Sequence, residues 1–146
     1  MRIEGYCTLW GAPSKTLEGT LYCEVIGKDA FRRSVQQAMS GRHCIYALAD
    51  HDWKRRLGST RRGNLRLACD ERGVRFELDG VRKPAGLRGV SFDMVVTRFR
   101  RDGDLLYRVL EGALIELSLC TTDVCYPQLL ATVKEVNSSL TVWSRF

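Results

Sequence analysis

Long apolar runs are missing from this chain. Nothing in its 146 residues approaches the ~20 consecutive apolar residues that a membrane-crossing helix needs. The opening MRIEGYCTLW has no basic head followed by an apolar stretch, so it does not read as a signal peptide. Together these absences predict a soluble protein made and used in a cytoplasm. Paired C-x-x-C spacings are also missing, and the nearest approach is Cys120-x4-Cys125, so a zinc site is not indicated. With no export signal, the even count of six cysteines does not argue for disulfides. Cys7, Cys23, Cys44 and Cys69 sit inside strand-like alternations and read as small buried apolar residues. Histidine is scarce, with only His43 and His51. Repeats and low-complexity linkers are absent.

What is present is ordinary globular material. Hydrophobic residues make up 45% and charged residues 27%, enough for a core and too apolar for long disorder. Lys and Arg number 23 against 17 Asp and Glu, a net charge of +6. That mild excess permits contact with nucleic acid or acidic protein and requires neither. Apolar and polar residues alternate along most of the chain. Strands are predicted at Arg2–Leu9, Gly19–Ile26, Cys44–Ala49, Asn64–Cys69, Val74–Leu78, Val90–Phe99, Leu105–Leu110, Ala113–Cys120 and Ala131–Asn137. Asp70-Glu71-Arg72-Gly73 and Asp102-Gly103 read as hairpin loops. One segment, about residues 29–40, places Phe31, Val35, Ala38 and Met39 at helical spacing, with Asp29 near the N-cap and Gly41 ending the last turn. A short helical turn at Tyr126–Leu130 is a weaker reading. The expected fold is α+β, mainly β: one domain over residues 1–146, a compact, mostly antiparallel β-barrel with one flanking helix.

A general base near neutral pH is most often histidine, so a hydrolase would use His43 or His51. His51 follows an apolar strand and sits in Asp50-His51-Asp52, at a rigid rim, although an exposed loop histidine fits the same pattern. In the strand from Val90, the alternation puts Val90, Phe92, Met94 and Val96 on one face and Ser91, Asp93 and Thr97 on the other. In 113–120 it puts Ile115, Leu117 and Leu119 on one face and Leu114, Glu116 and Ser118 on the other. Ser91 and Glu116 then both project away from the core. That parity suits solvent-side polar residues and a Ser–His–Glu triad equally.

Five stretches in fixed order carry a family resemblance. They are Ile3-Glu4-Gly5-Tyr6 with Leu9-Trp10-Gly11; Ile26-Gly27-Lys28-Asp29-Ala30-Phe31; and Leu48-Ala49-Asp50-His51-Asp52 with Leu57-Gly58. Gly89-Val90-Ser91-Phe92 and Leu114-Ile115-Glu116-Leu117-Ser118-Leu119, with Pro127 beyond, complete the set. In this order, over roughly residues 2–135, the chain resembles the prohead serine proteases of tailed phages, related in fold to herpesvirus assemblins. The resemblance implies Ser91 as nucleophile, His51 as general base and Glu116 as the acid that orients the ring. It implies no metal or organic cofactor. Its implied substrates are the major capsid protein and scaffold, with self-cleavage, inside a procapsid in host cytoplasm. It also implies a homodimer or higher self-association, and no membrane.

Three departures accompany it. Asp93 stands where relatives often carry glycine, and a carboxylate there disfavours a developing oxyanion. The helical stretch before the serine strand is reduced to Gly80–Gly89, and Thr121–Pro127 replaces a Pro-Ala-Asn-Pro-like turn. His43 competes with Glu116 for the third position, since assemblins use a second histidine. Arg98, Arg100 and Arg101 are candidates for an oxyanion loop or substrate groove, or form a solvated basic hairpin; Trp53 could line the groove or cap the fold. A non-catalytic β-barrel scaffold module, contacting nucleic acid through its basic clusters, is the competing function. A cysteine hydrolase using Cys120 or Cys125 is the third.

Overall fold

The structure is a computed structural model and describes residues 1–137. Nine strands alternate with one α-helix and one 3₁₀ helix. In chain order they are β1 (Arg2–Leu9), β2 (Cys23–Ile26), α1 (Arg32–Met39), β3 (Tyr46–Ala49) and β4 (Asp52–Ser59). Then come β5 (Leu65–Cys69), β6 (Gly73–Asp79), β7 (Gly89–Arg101), β8 (Leu106–Cys120), the 3₁₀ helix Pro127–Thr132 and β9 (Lys134–Val136). The strands form two sheets. One has the order β5-β6-β1-β9; the other is built on β8. Among the described residues neither closes on itself; the mainly β, α+β class is as expected, and the strands pair as two sheets without a closed barrel. The final residues of the expected domain, 138–146, lie outside the described residues.

β8 organises the second sheet. Along one edge β7 runs antiparallel to it over nearly its full length. Along the other edge lie two shorter strands end to end, both parallel to β8: β2 against Leu106–Val109 and β3 against Glu116–Leu119. Backbone groups in the gap between them need partners, because buried unpaired amides and carbonyls are costly. The α1 region supplies these partners. Gly27 N–H donates to Val109 O at 2.8 Å, Gly112 N–H to Ala30 O at 3.1 Å and Leu114 N–H to Ser34 Oγ at 3.1 Å. His43 Nε2 donates to Leu114 O at 2.8 Å. The helix therefore continues an interrupted ladder as well as covering the core.

The core fills the space between the sheets. Phe31, Phe76, Ile3, Ile26, Leu67, Leu78, Val90, Leu114, Leu117 and Leu119 are almost completely buried. Each such side chain contributes about 1.5–3 kcal/mol of transfer free energy. Phe92 meets Phe31 edge to face at 5.6 Å and stacks on Tyr126 at 5.5 Å. Phe92 and Val90 thus anchor β7 on its core side, which turns Ser91 to the opposite face.

Two local expectations are corrected. Asp29 does not cap α1: the N-cap is Phe31, without a side-chain bond, while Asp29 has φ 63° and pairs with Arg32 at 2.8 Å. Leu114 belongs to the core, not to the Glu116 face. Asp93 pairs with Glu116 and Met94 with Leu114, so Ile115 is an extra residue in β8. This β-bulge breaks the two-residue alternation assumed for 113–120.

Candidate active site

The site is built at the tip of a hairpin that the sequence reading missed. β3 and β4 pair as Ala49 with Asp52, leaving Asp50 and His51 as the two turn residues. Their φ values are 50° and 57°. Positive φ at both central positions is the hairpin geometry that matches strand twist, usually met by Asn-Gly or Asp-Gly. A non-glycine residue there is strained by roughly 1–2 kcal/mol. The strain is held by the end of β8. Asp50 N–H donates to Leu119 O at 3.1 Å, and the Asp50 carboxylate accepts from Thr121 N–H at 2.7 Å and from its hydroxyl at 2.9 Å. His51 N–H donates to Ser118 Oγ at 3.0 Å.

That placement brings the ring to Glu116. His51 Nδ1 donates to Glu116 Oε1 at 2.7 Å, with the histidine side chain 43% exposed and the carboxylate 1%. Glu116 Oε2 accepts from Ser118 Oγ–H at 2.6 Å. Both carboxylate oxygens are therefore engaged as acceptors, and the bond to Nδ1 leaves Nε2 to face other groups. The Cys120 side chain beside the ring, and then the Glu116 bond, favour the protonated imidazole and push its pKa up to about 10 against the opposing effect of burial. The base form of the ring accordingly appears on the alkaline side of neutrality.

Ser91 stands directly opposite Ser118 across the β7–β8 ladder, two pairs along from Asp93 opposite Glu116. Directly opposed residues share a face, with Cβ atoms roughly 4.5–5.5 Å apart. Ser91 is half-buried, and its hydroxyl has no hydrogen-bond partner among the described residues. Asp93 is exposed, and its carboxylate accepts only its neighbour's Met94 N–H, at 2.9 Å. Ser91 thus lies on the face of β7 and β8 that carries Ser118 and Glu116, and Glu116 in turn holds His51. The Ser91 hydroxyl is not bonded to the ring.

The other candidates lie elsewhere. His43 is committed to Leu114 O, so it patches the β8 ladder and does not orient His51. Arg98, Arg100 and Arg101 do not reach the site. At ~3.3 Å per residue they are about 23 Å or more beyond Ser91 along β7. Arg100 is bonded to Asp102 at 2.6 Å, and Arg101 stacks on Tyr22 beside an apolar groove of about 450 Å³. Trp53 lies two residues past His51, 43% exposed, edge to face with Tyr46 at 5.1 Å and with the Arg56 guanidinium 5.8 Å from its ring. Sequence reasoning set Ser118 on the Glu116 face and named Cys120 as a candidate nucleophile, but gave neither a contact with the His51–Glu116 pair. Their signal was present, because both share Glu116's parity in the strand beyond the bulge. All six cysteines are free, Cys7 and Cys120 buried and Cys125 exposed.

A histidine–glutamate pair beside a strand-borne serine is the equipment of the serine hydrolase class. The chain belongs to the caudovirus prohead serine protease family, whose model matches residues 1–140. Proteins of that family are phage capsid-maturation proteases, working within the procapsid of an infected cell. No curated protein and no solved structure matches the chain. Among the described residues no helix is long and apolar enough to cross a membrane.

Proposed function

We propose that this protein is an endopeptidase that uses Ser91 as nucleophile, His51 as general base and Glu116 as the orienting acid. It cleaves capsid and scaffold segments, and itself, during procapsid maturation. The observation that carries this reading is the 2.7 Å bond between His51 and the buried Glu116, on the face that Ser91 shares. A serine hydroxyl attacks only when a neighbouring base takes its proton. His51 Nε2 accepts the Ser91 proton as Oγ bonds to the scissile carbonyl carbon. The same nitrogen returns the proton to the leaving amine. Water then repeats the sequence on the acyl-serine. Throughout, Glu116 fixes the tautomer and stabilises the imidazolium. Binding of an extended peptide beside β7 closes the distance between Ser91 and the ring. Self-association in the procapsid belongs to the same reading.

The test is co-expression with the cognate capsid protein, comparing wild type with Ser91→Ala by mass spectrometry of the products. Processing by wild type alone supports the assignment. Equal processing by both removes Ser91 as nucleophile, and no processing by either favours a non-catalytic scaffold module, the reading to which Asp93 beside the serine gives weight.

A further inference from the structure

Ser118 is the residue the triad does not use and the geometry does not leave idle. Its hydroxyl is fully buried, so it is shut off from any substrate. Its two bonds run to different members of the site: it accepts His51 N–H at 3.0 Å and donates to Glu116 Oε2 at 2.6 Å. The roles are fixed, because an amide only donates. The single hydroxyl hydrogen is thereby aimed at the carboxylate. With the 2.7 Å bond from His51 Nδ1 to Glu116 Oε1, the contacts form a closed ring: backbone of the base, hydroxyl, acid, imidazole, and back to the base.

We infer that Ser118 is a positioning residue that sets the His51–Glu116 pair from both sides. This rests on the proposed catalytic reading. On one side it holds the amide of a residue at φ 57°, a conformation that persists only where surrounding contacts over-determine it. On the other side it fixes the carboxylate so that Oε1, and not Oε2, meets the ring. Glutamate has three side-chain torsions, and a carboxylate 1% exposed has no water to choose among them. Without the hydroxyl, the His51 amide and Glu116 Oε2 each lose a partner in a buried place. The ring is left free to turn away from Ser91. Its nearest analogues are the hydrogen-bond partners that orient metal-bound histidines, whose removal costs on the order of 10- to 100-fold in function.

Two measurements separate this role from mere support of the fold. The first compares peptide cleavage by wild type, Ser118→Ala and Ser118→Cys, the last keeping the side-chain volume with a much weaker donor. The expected result is a fall in kcat of about 10- to 100-fold with KM within about twofold. The second is the proton NMR signal of His51 Nδ1–H in a Ser91→Ala background, which needs no activity. In that background a strongly downfield signal marks the bond to Glu116. Adding Ser118→Cys should shift or broaden it. Unchanged kcat in Ser118→Cys, or an unmoved Nδ1–H signal, overturns the inference. A wild type that cleaves nothing overturns the catalytic reading instead, while the NMR arm still decides the role of Ser118.

Discussion

Two hairpins in this molecule solve the same steric problem in opposite ways. The β7–β8 turn contains Asp102 and Gly103, and glycine takes φ 81° at no steric penalty. Asp102 closes the turn through its N–H to Leu106 O and through bonds to Arg100 and Arg108. The β3–β4 turn asks for positive φ twice and receives Asp50 and His51. A stability-optimised hairpin would place asparagine and glycine there. The molecule instead keeps a strained histidine and braces it with four bonds to the end of β8. On the proposed catalytic reading, strain retained and braced at one turn and absent at the other marks where chemistry outweighs stability.

Exchanging the two solutions tests this contrast. The largest expected effect is from His51→Gly. Cleavage should fall by about 10³-fold or more, with urea-derived stability remaining within about 1 kcal/mol of wild type, because glycine relieves the strain that the lost bonds had balanced. A collapse in stability would show that the turn was not strained. Glu116→Gln should leave the turn formed and lower kcat/KM by on the order of 10³- to 10⁴-fold, since an amide cannot hold the imidazolium. A loss under tenfold would detach Glu116 from the mechanism. Gly103→Ala should do the reverse of His51→Gly: a stability loss of about 1–2 kcal/mol, read from the urea midpoint, with cleavage unchanged.

The fourth test is by pH. His51 binds its proton more tightly folded, at about 10, than the ordinary 6.5. Its contribution to stability is therefore complete below about pH 6.5 and is lost as pH rises towards 10, the window in which the base form and hence cleavage should increase. Chemical denaturation across that window, with and without Glu116→Gln, should show a flatter profile in the variant. The smallest effect belongs to Asp102, half-buried at the surface and held down to about 2 by hydrogen bonds from Arg100 and then Arg108. Its contribution is present above the ordinary carboxylate range and is lost as pH falls towards 2; because solvent screens this surface cluster, Asp102→Asn should lower the thermal midpoint only slightly at neutral pH.

Much of this was legible in the residues. β1 is predicted to the residue, and β5 and β6 to within one, because their apolar residues recur with a period of two, even though the polar face of β1 is buried as well. α1 was visible through Phe31, Val35 and Ala38. β4 was not: its Lys54-Arg55-Arg56 run is exposed on both faces, so no alternation exists to be read. Its absence hid the hairpin, and with it the reason His51 is where it is. The Ile115 bulge was equally silent, since one extra residue reverses a face without changing composition. The placement of His43 depended on a gap in the β8 edge that only the three-dimensional pairing creates. The contact between His51 and Glu116 joins residues 65 apart, beyond what local pattern encodes.

The interrupted edge of β8 has a mechanical consequence. Ser34 on α1 grips the Leu114 amide, and His43, just past the helix, grips the same residue's carbonyl. Leu114 is two positions from Glu116, with only the bulge between them. The helix is thus clamped to the strand at the joint that aims the carboxylate, and a load applied to α1 is transmitted to the acid through two short tethers.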